Sequence, residues 1–470
     1  MLKVGSEKIR SAWESIGKRL AAPHPRFDGP ATKKLVGSPI LILSSWWLVC
    51  FLLYVTGWPI DYTRVNVIPV TLLFSASLIF LEGAFYLANR RTRLDRVVDE
   101  RSKLPRLMVL GFILVILLQI PTIETYSAFH FWQILPALQD QSKAFYGATV
   151  RMQEGLWSRW PFVVAQTICA PLTMVVVPYL ALVWFETRRY AFPLLIVLAA
   201  AVSTSIMVGR DFQLFLAAIL VACSWVIARV RRRVGFSWKD AAILGGGSVL
   251  LMLLFGLRKW ERMSGQAFCA PGVASCEVTH GKVSLWDSIT VTLASYASQG
   301  LEGLGHAFNA TWAFGGGYSH SPAVAAIFNS VFGARQSRVV TLQLDGLGWS
   351  STGYWSTGFA AIANDVPWVL IPLVLAAQGG LLALSWRAAL KEGDWLSTAV
   401  FAYTFFTLLF MPLTLQLATS GPLYVGYVVL IVMFVIRSAL RYCRGKQAAA
   451  QEQSNMNGTD TDVGSTVETR

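Results

Sequence analysis

Long apolar runs, separated by loops that are alternately basic and almost uncharged, set the plan of this chain. A helix needs about 20 mostly apolar residues to cross a bilayer. Ten runs approach that length, near residues 39–56, 66–88, 106–123, 161–185, 191–208, 212–228, 241–257, 366–386, 396–416 and 422–440. The pattern predicts an all-α polytopic membrane protein of about ten transmembrane helices. The longest connection, 258–357, falls between the seventh and eighth.

Charge orients this plan. Of the 40 Lys and Arg residues, 29 lie in the N-terminal segment, in the connections 88–106, 186–192, 229–240 and 387–395, and from Arg437 onward. These are every second connection, which is the positive-inside pattern. Both termini are therefore expected in the cytoplasm. The net charge of +14 reads as a topology signal spread over membrane-flanking loops, so no nucleic-acid partner is expected. Membrane lipids are the expected surroundings.

Residues 1–38 are too polar for a signal peptide. Ile9, Trp13, Ile16 and Leu20 recur at helical spacing among Lys and Arg, which predicts an amphipathic helix on the inner surface. The run 39–257 holds helices one to seven, and 358–445 holds helices eight to ten. Residues 446–470 are polar and predict a disordered cytoplasmic tail.

Two segments of the uncharged side carry the interest. The segment 124–160 holds Phe129, Trp132, Ile134, Leu135, Leu138, Trp157 and Trp160, which suits a helix lying at the membrane interface. The 258–357 loop is long enough to be functional. It contains a helix-like stretch, Val283 to Ala297, with Leu285, Ile289, Leu293 and Tyr296 on one stripe. A glycine-rich segment, Gly300–Gly317, and a short apolar piece, Pro322 to Phe332, follow. Two or three short helices packed on the outer ends of the spans are expected.

Cys50, Cys169 and Cys223 lie within spans and Cys443 near the C-terminus. Cys269 and Cys276 share the long outer loop, where an oxidising compartment would join them as a disulfide. No metal-ligand spacing, Walker loop or dinucleotide-binding glycine pattern occurs, so neither metal nor cofactor is expected.

Arg210 sits between two spans with almost no loop, next to a helix start. An ionisable group there is costly and points to function, and a helix N-terminus favours phosphate. The bland alternative is an Arg210–Asp211 pair with Asp211 as helix cap. The long loop adds Arg258, Arg335 and Arg338 as diphosphate-binding candidates, since Arg grips phosphate oxygens bidentately. His306, Glu302, His320 and Asp345 are candidates for the group that deprotonates a sugar hydroxyl. The loop is also rich in aromatics, of which Trp312, Tyr318, Trp349 and Trp355 are the candidate glycan platforms; an interfacial belt is the competing reading.

Two stretches resemble a family. Ser205–Ala218, with Val208-Gly209-Arg210-Asp211 before an apolar span, resembles a feature of Wzy-type O-antigen and exopolysaccharide polymerases and of O-antigen ligases. Gly353–Asp365, followed by an apolar run to Gln378-Gly379-Gly380, is similar to their segment after the large periplasmic loop. Two departures stand out: Asp211 where Gly is common, and Val366-Pro367 where an aromatic-Gly pair follows the Asp. The resemblance implies a bacterial inner-membrane polymerase. Such an enzyme joins undecaprenyl-diphosphate-linked oligosaccharide repeat units at the periplasmic face, without metal or nucleotide. It implies roles for Arg210 and Asp365, and a chain-length regulator as a further partner.

Three other classes compete. An O-antigen ligase uses the same donor and is expected to carry a His late in the loop. Another lipid-linked-sugar glycosyltransferase would place an acid in the first outer loop, where Asp61 stands alone. A flippase or transporter tends to show repeats and charges deep in its spans, where only Glu82 is found. Reporter fusions at Gly272 and Gly393 are predicted to lie on opposite sides of the membrane; the same side for both would overturn this topology.

Overall fold

The computed structural model describes residues 37–60, 62–90, 104–153, 159–232, 237–262, 284–332, 339–350 and 354–459. All regular structure among them is helical. Nine helical stretches are long and apolar enough to cross a membrane: Ser38–Thr56 (α1), Val67–Asn89 (α2), Arg106–Tyr126 (α3), Trp160–Thr187, Ala191–Val208 (α8), Phe212–Arg231 (α9), Trp238–Glu261, Trp368–Glu392 and Gly421–Arg444. The chain is thus a polytopic helical membrane protein, and nine of the ten apolar runs are matched. The predicted N-terminal amphipathic helix and the Cys269–Cys276 bridge lie outside the described residues.

Two short helices occupy the segment after α3, Ile134–Gln139 (α4) and Gln141–Gln153 (α5). Trp132 and Leu135 are exposed there. The fourth span is broken into Trp160–Met174 (α6) and Val176–Thr187 (α7). Pro178 explains the break: it donates no hydrogen bond to the Met174 carbonyl, and its ring crowds that group. The seventh span is Trp238–Arg262 (α10), which packs on α5 and on Leu285–Ala307 (α11). Pro322–Phe332 (α12), Val340–Gln343 (α13) and Gly358–Ala363 (α14) follow. The last three are Ile371–Glu392 (α15), Trp395–Phe410 (α16) and Gly421–Thr459 (α17). The tail expected to be disordered is therefore helical as far as Thr459. Lys446-Gln-Ala-Ala-Ala-Gln-Glu-Gln453 is made of good helix formers, so polarity alone misjudged it.

The ninth run, 396–416, departs from expectation. Only its first part, α16, is helical, and 16 residues reach about 24 Å against a hydrocarbon core of about 30 Å. α16 starts beside Arg437 of α17, which pairs with Asp394 at 2.6 Å. It is buried on every side from Leu396 to Leu408. The backbone that follows meets part of its last turn: Leu408 O accepts from Met411 N at 3.2 Å and Phe410 O from Thr414 N at 2.8 Å. Two adjacent indoles of α1 add to this, Trp46 Nε1 donating to Leu409 O at 2.9 Å and Trp47 Nε1 to Leu408 O at 2.8 Å. Trp47 lies nine residues before the end of α1, about 14 Å below it. α16 therefore ends near mid-depth.

The space above α16 is filled by the long loop. Residues 411–415 and a 3-10 turn, Gln416–Thr419, run non-helically through it. Such backbone is tolerated at membrane depth only inside protein, and here Gly358 N donates to Met411 O at 2.9 Å. α11 sinks into the same layer, with Ala297 packed on Cys50 and Leu413. Its glycines allow this. A Cβ on Gly300 would stand 2.5 Å from Pro412 O, and one on Gly305 would collide with Val65 O. Two expectations are corrected. Gly300–Ala307 is helix rather than a glycine-rich turn, and α11 enters the bundle rather than lying on its outer ends. The inward side of α11 is also polar, carrying Thr292, Ser295, Ser298, Gln299 and Glu302. Leu285, Leu293 and Tyr296 of the expected apolar stripe are only half-buried.

The basic end is held by arginines on helix C-termini. Arg231 pairs with Glu186 at 2.5 Å and donates to Leu390 O at 2.8 Å. Arg387 donates to Ala88 O at 2.7 Å. Both close the ends of spans where the dipole is negative. Trp47→Phe is predicted to destabilise the protein by about 0.5–1.5 kcal/mol, the net contribution of one hydrogen bond, because Leu408 O keeps Met411 N as a donor. Thermal unfolding in detergent reads this, with exposed Trp132→Phe as the neutral control.

Candidate functional site

The opposite end of the bundle holds three clusters of charged groups. Its first cluster surrounds the α8–α9 turn. Gly209 takes a left-handed φ of 66°, and a Cβ there would stand 2.5 Å from Phe145 N. The turn is thereby pressed onto α5. Arg258 then locks it. Its guanidinium pairs with Asp211, donates to Gln141 Oε1, and reaches Ser205 Oγ and Ser205 O at 3.0 Å each. Asp211 makes no side-chain cap to α9, so its ion pair with Arg258 replaces the expected capping role. Arg258 is correspondingly a structural clasp, with its fork turned into the protein rather than toward a diphosphate. Arg210 lies over the ring of Phe145 at 5.9 Å, and Lys259 over the same ring at 5.7 Å. Arg335 and Arg338 lie outside the described residues.

The second cluster is built on Asp365, at the end of α14. Gly316 and Gly317 have φ values of 87° and 81°, open only to glycine at low cost. That bend turns two backbone amides onto one carboxylate: Gly317 N meets Asp365 Oδ1 at 2.9 Å, and His320 N meets Oδ2 at 2.7 Å. Asn364 ties the same loop, donating to Ser319 O at 3.0 Å and Thr341 Oγ1 at 2.8 Å. His320 Nδ1 lies 2.6 Å from Asp365 Oδ2, and its Nε2 meets the hydroxyl of Tyr424 on α17. A carboxylate at Nδ1 fixes hydrogen on that nitrogen, so the neutral ring accepts at Nε2 from Tyr424. Burial pushes the Asp365 carboxyl up, but the hydrogen bonds from His320 and Gly317 outweigh it and hold it below the usual range.

The third cluster is Glu302 with His306, one turn apart on α11. Thr63 Oγ1 donates to Glu302 Oε1 at 2.5 Å, and His306 Nε2 lies 3.7 Å from the same oxygen. His306 Nδ1 donates to Leu347 O at 2.9 Å, and the ring stacks on Trp349 at 5.5 Å.

The sequence candidates thus separate. His320 and Asp365 are joined directly, and so are His306 and Glu302. Asp345 is exposed on the 3-10 turn Leu344–Leu347. Trp312 and Tyr318 lie in the loop that carries His320, with Trp312 and neighbouring Phe314 exposed. Trp349 is 1% exposed and Trp355 packs edge-on to Tyr296 at 4.5 Å. These two belong to the core rather than to a glycan platform. Sequence reading missed Tyr424, which looks like any aromatic near the end of a span, and Thr63, Gln141 and Ser205, whose partners are distant in sequence. Among the described residues no group of three or more His, Cys, Asp or Glu is placed to hold a metal ion. Comparison with protein-family models, with curated proteins and with solved structures finds no match to this chain.

Proposed function

We propose that this protein is a membrane-embedded glycosyltransferase. It moves an oligosaccharide from a polyprenyl-diphosphate carrier to a hydroxyl of a second glycan, at the end of the bundle opposite the basic loops. The reading follows the resemblance to Wzy-type polymerases, with the bacterial inner membrane as its location. The observation that carries it is the Asp365–His320–Tyr424 chain beside the exposed aromatics Trp312 and Phe314. It supplies a base with a fixed tautomer and a surface suited to sugar rings.

The chemistry balances with these groups. The acceptor oxygen attacks the anomeric carbon as the bond from that carbon to the diphosphate oxygen breaks. The acceptor proton passes to Tyr424, whose own proton moves to His320 Nε2. Asp365 stabilises the imidazolium and stays ionised, as in other carboxylate–histidine pairs. The departing diphosphate carries its electron pair away, and the resemblance gives Arg210 the part of the cation that neutralises it.

One observation favours a second reading. The expected mark of an O-antigen ligase is a His late in the outer loop, and His320 gains both a carboxylate and a phenol partner. Ligase and polymerase share the donor and differ in acceptor.

A strain lacking the protein is predicted to make surface polysaccharide of single repeats, restored to long chains by the wild type. Long chains stranded on the lipid carrier would move the assignment to ligase. His320→Ala and Tyr424→Phe should each lower turnover, by about 10²–10⁴ for His320, the usual loss when a general base is removed. Arg210→Ala should abolish product, and Arg210→Lys should restore little because the planar fork is gone. Full-length polymer from Arg210→Ala at normal protein level would refute the diphosphate role.

A further inference from the structure

Four arginines, Arg188, Arg229, Arg231 and Arg232, stand where α7 and α9 end side by side, and they meet two carboxylates. Arg231 pairs with Glu186 at 2.5 Å, and Arg229 pairs with Asp240 at the start of α10. Arg232 donates to the main chain, at the Glu186 carbonyl. Arg188 has no hydrogen bond or ion pair among the described residues, and its Nε is shut from solvent. Its guanidinium lies over the Trp184 ring at 5.7 Å, and that of Arg229 over Trp225 at 5.4 Å.

These cations act on one another. The bond to the Glu186 carbonyl brings Arg232 within two residues of Arg188, and Arg229 stands one turn before Arg232 on the same face of α9. Burial, then Arg232 and Arg229, push the Arg188 guanidinium below its ordinary value. Burial lowers Arg232 as well, with Glu186 opposing and Arg229 adding to it. Arginine starts too high for this to discharge it, so the positive charges remain and repel. The turn itself is strained: Arg188 and Tyr190 hold left-handed φ values of 61° and 64°, which residues other than Gly, Asn and Asp rarely adopt.

An anion relieves this crowding. Phosphate offers oxygens to more than one guanidinium at once, in the geometry their planar forks match. The place selects the source. The cluster lies at the ends of membrane-spanning helices, where indoles such as Trp184 and Trp225 suit the interface. Basic pockets between such helices hold anionic lipid headgroups.

We propose that Arg188, Arg229 and Arg232 form a binding site for the phosphate group of an anionic phospholipid, between the ends of α7 and α9. The site does not depend on the glycosyltransferase reading.

The test uses the full-length protein in a neutral detergent, unfolded thermally with phosphatidylglycerol, phosphatidylcholine or inorganic phosphate at equal ionic strength. The expected result is a saturable rise in melting temperature with phosphatidylglycerol and none with phosphatidylcholine. Native mass spectrometry should show the anionic lipid retained. A saturable rise with inorganic phosphate supports the same site with a free anion as its source. Asn accepts a left-handed φ, so Arg188→Asn removes the guanidinium without unfolding the turn. It should raise the phosphatidylglycerol concentration at half-effect about fivefold, the worth of one arginine beside an anionic headgroup, and Arg232→Gln should do likewise. Lys239→Gln removes a charge from the same end, on an exposed side chain over Trp238, and should leave the response unchanged. No rise with either phosphatidylglycerol or phosphate would overturn the site. So would an equal rise with phosphatidylcholine, or an equal weakening by Lys239→Gln, because bulk lipid or diffuse surface charge would then account for the effect.

Discussion

Two indole hydrogen bonds decide the architecture of this protein. Trp46 and Trp47 bond to Leu409 O and Leu408 O inside the bundle, beside the amides of Met411 and Thr414 on Leu408 O and Phe410 O, and α16 stops near mid-depth. A helix end in hydrocarbon without such partners would leave several backbone groups unpaired, each at a cost of several kcal/mol. With the end satisfied, the chain continues non-helically and α11 packs into the vacated half. The candidate chemistry is attached to this inserted layer: Asp365 follows α14, His320 precedes α12, and Glu302 and His306 lie on α11.

The two ends of the bundle use the same residue type in different ways. At the basic end Arg231 and Arg387 complete the C-termini of neighbouring helices. At the opposite end Arg258 clamps a turn onto Asp211 and α5. Arg210 rests against an aromatic ring. Counting arginines per loop marks the basic end but not which carbonyls its arginines reach. Both uses depend on distances across the fold.

The spans were legible because hydrophobic length is a local property. Nine runs coincide with helices long enough to cross, and the Pro322–Phe332 helix was visible in its apolar composition. What failed was the apolar stripe expected of α11, of which only Ile289 is buried. α11 turns Ser295, Gln299 and Glu302 into the protein, since in a bilayer the interior is the less apolar side. The glycines at 300, 303 and 305 looked like a loop because nothing local reveals a backbone pressed against them. Arg210 and Asp365 came from the family resemblance, and His306 and His320 as residue types in the long loop. The pairing of His320 with Asp365 and Tyr424 spans 45 and 104 positions, beyond what spacing alone can specify.

The same long separations bear on biogenesis. Trp46 and Trp47 bond to residues 363 and 361 positions later. During synthesis, at about 5–20 residues per second, α1 enters the bilayer tens of seconds before α16 exists. Its indoles, and the polar face of α11 after it, must be sheltered by lipid headgroups, water or a chaperone in the interval. Closure of the outer half is therefore a late, C-terminal event. A chain truncated before α16 retains most of its spans but lacks the element that organises the others.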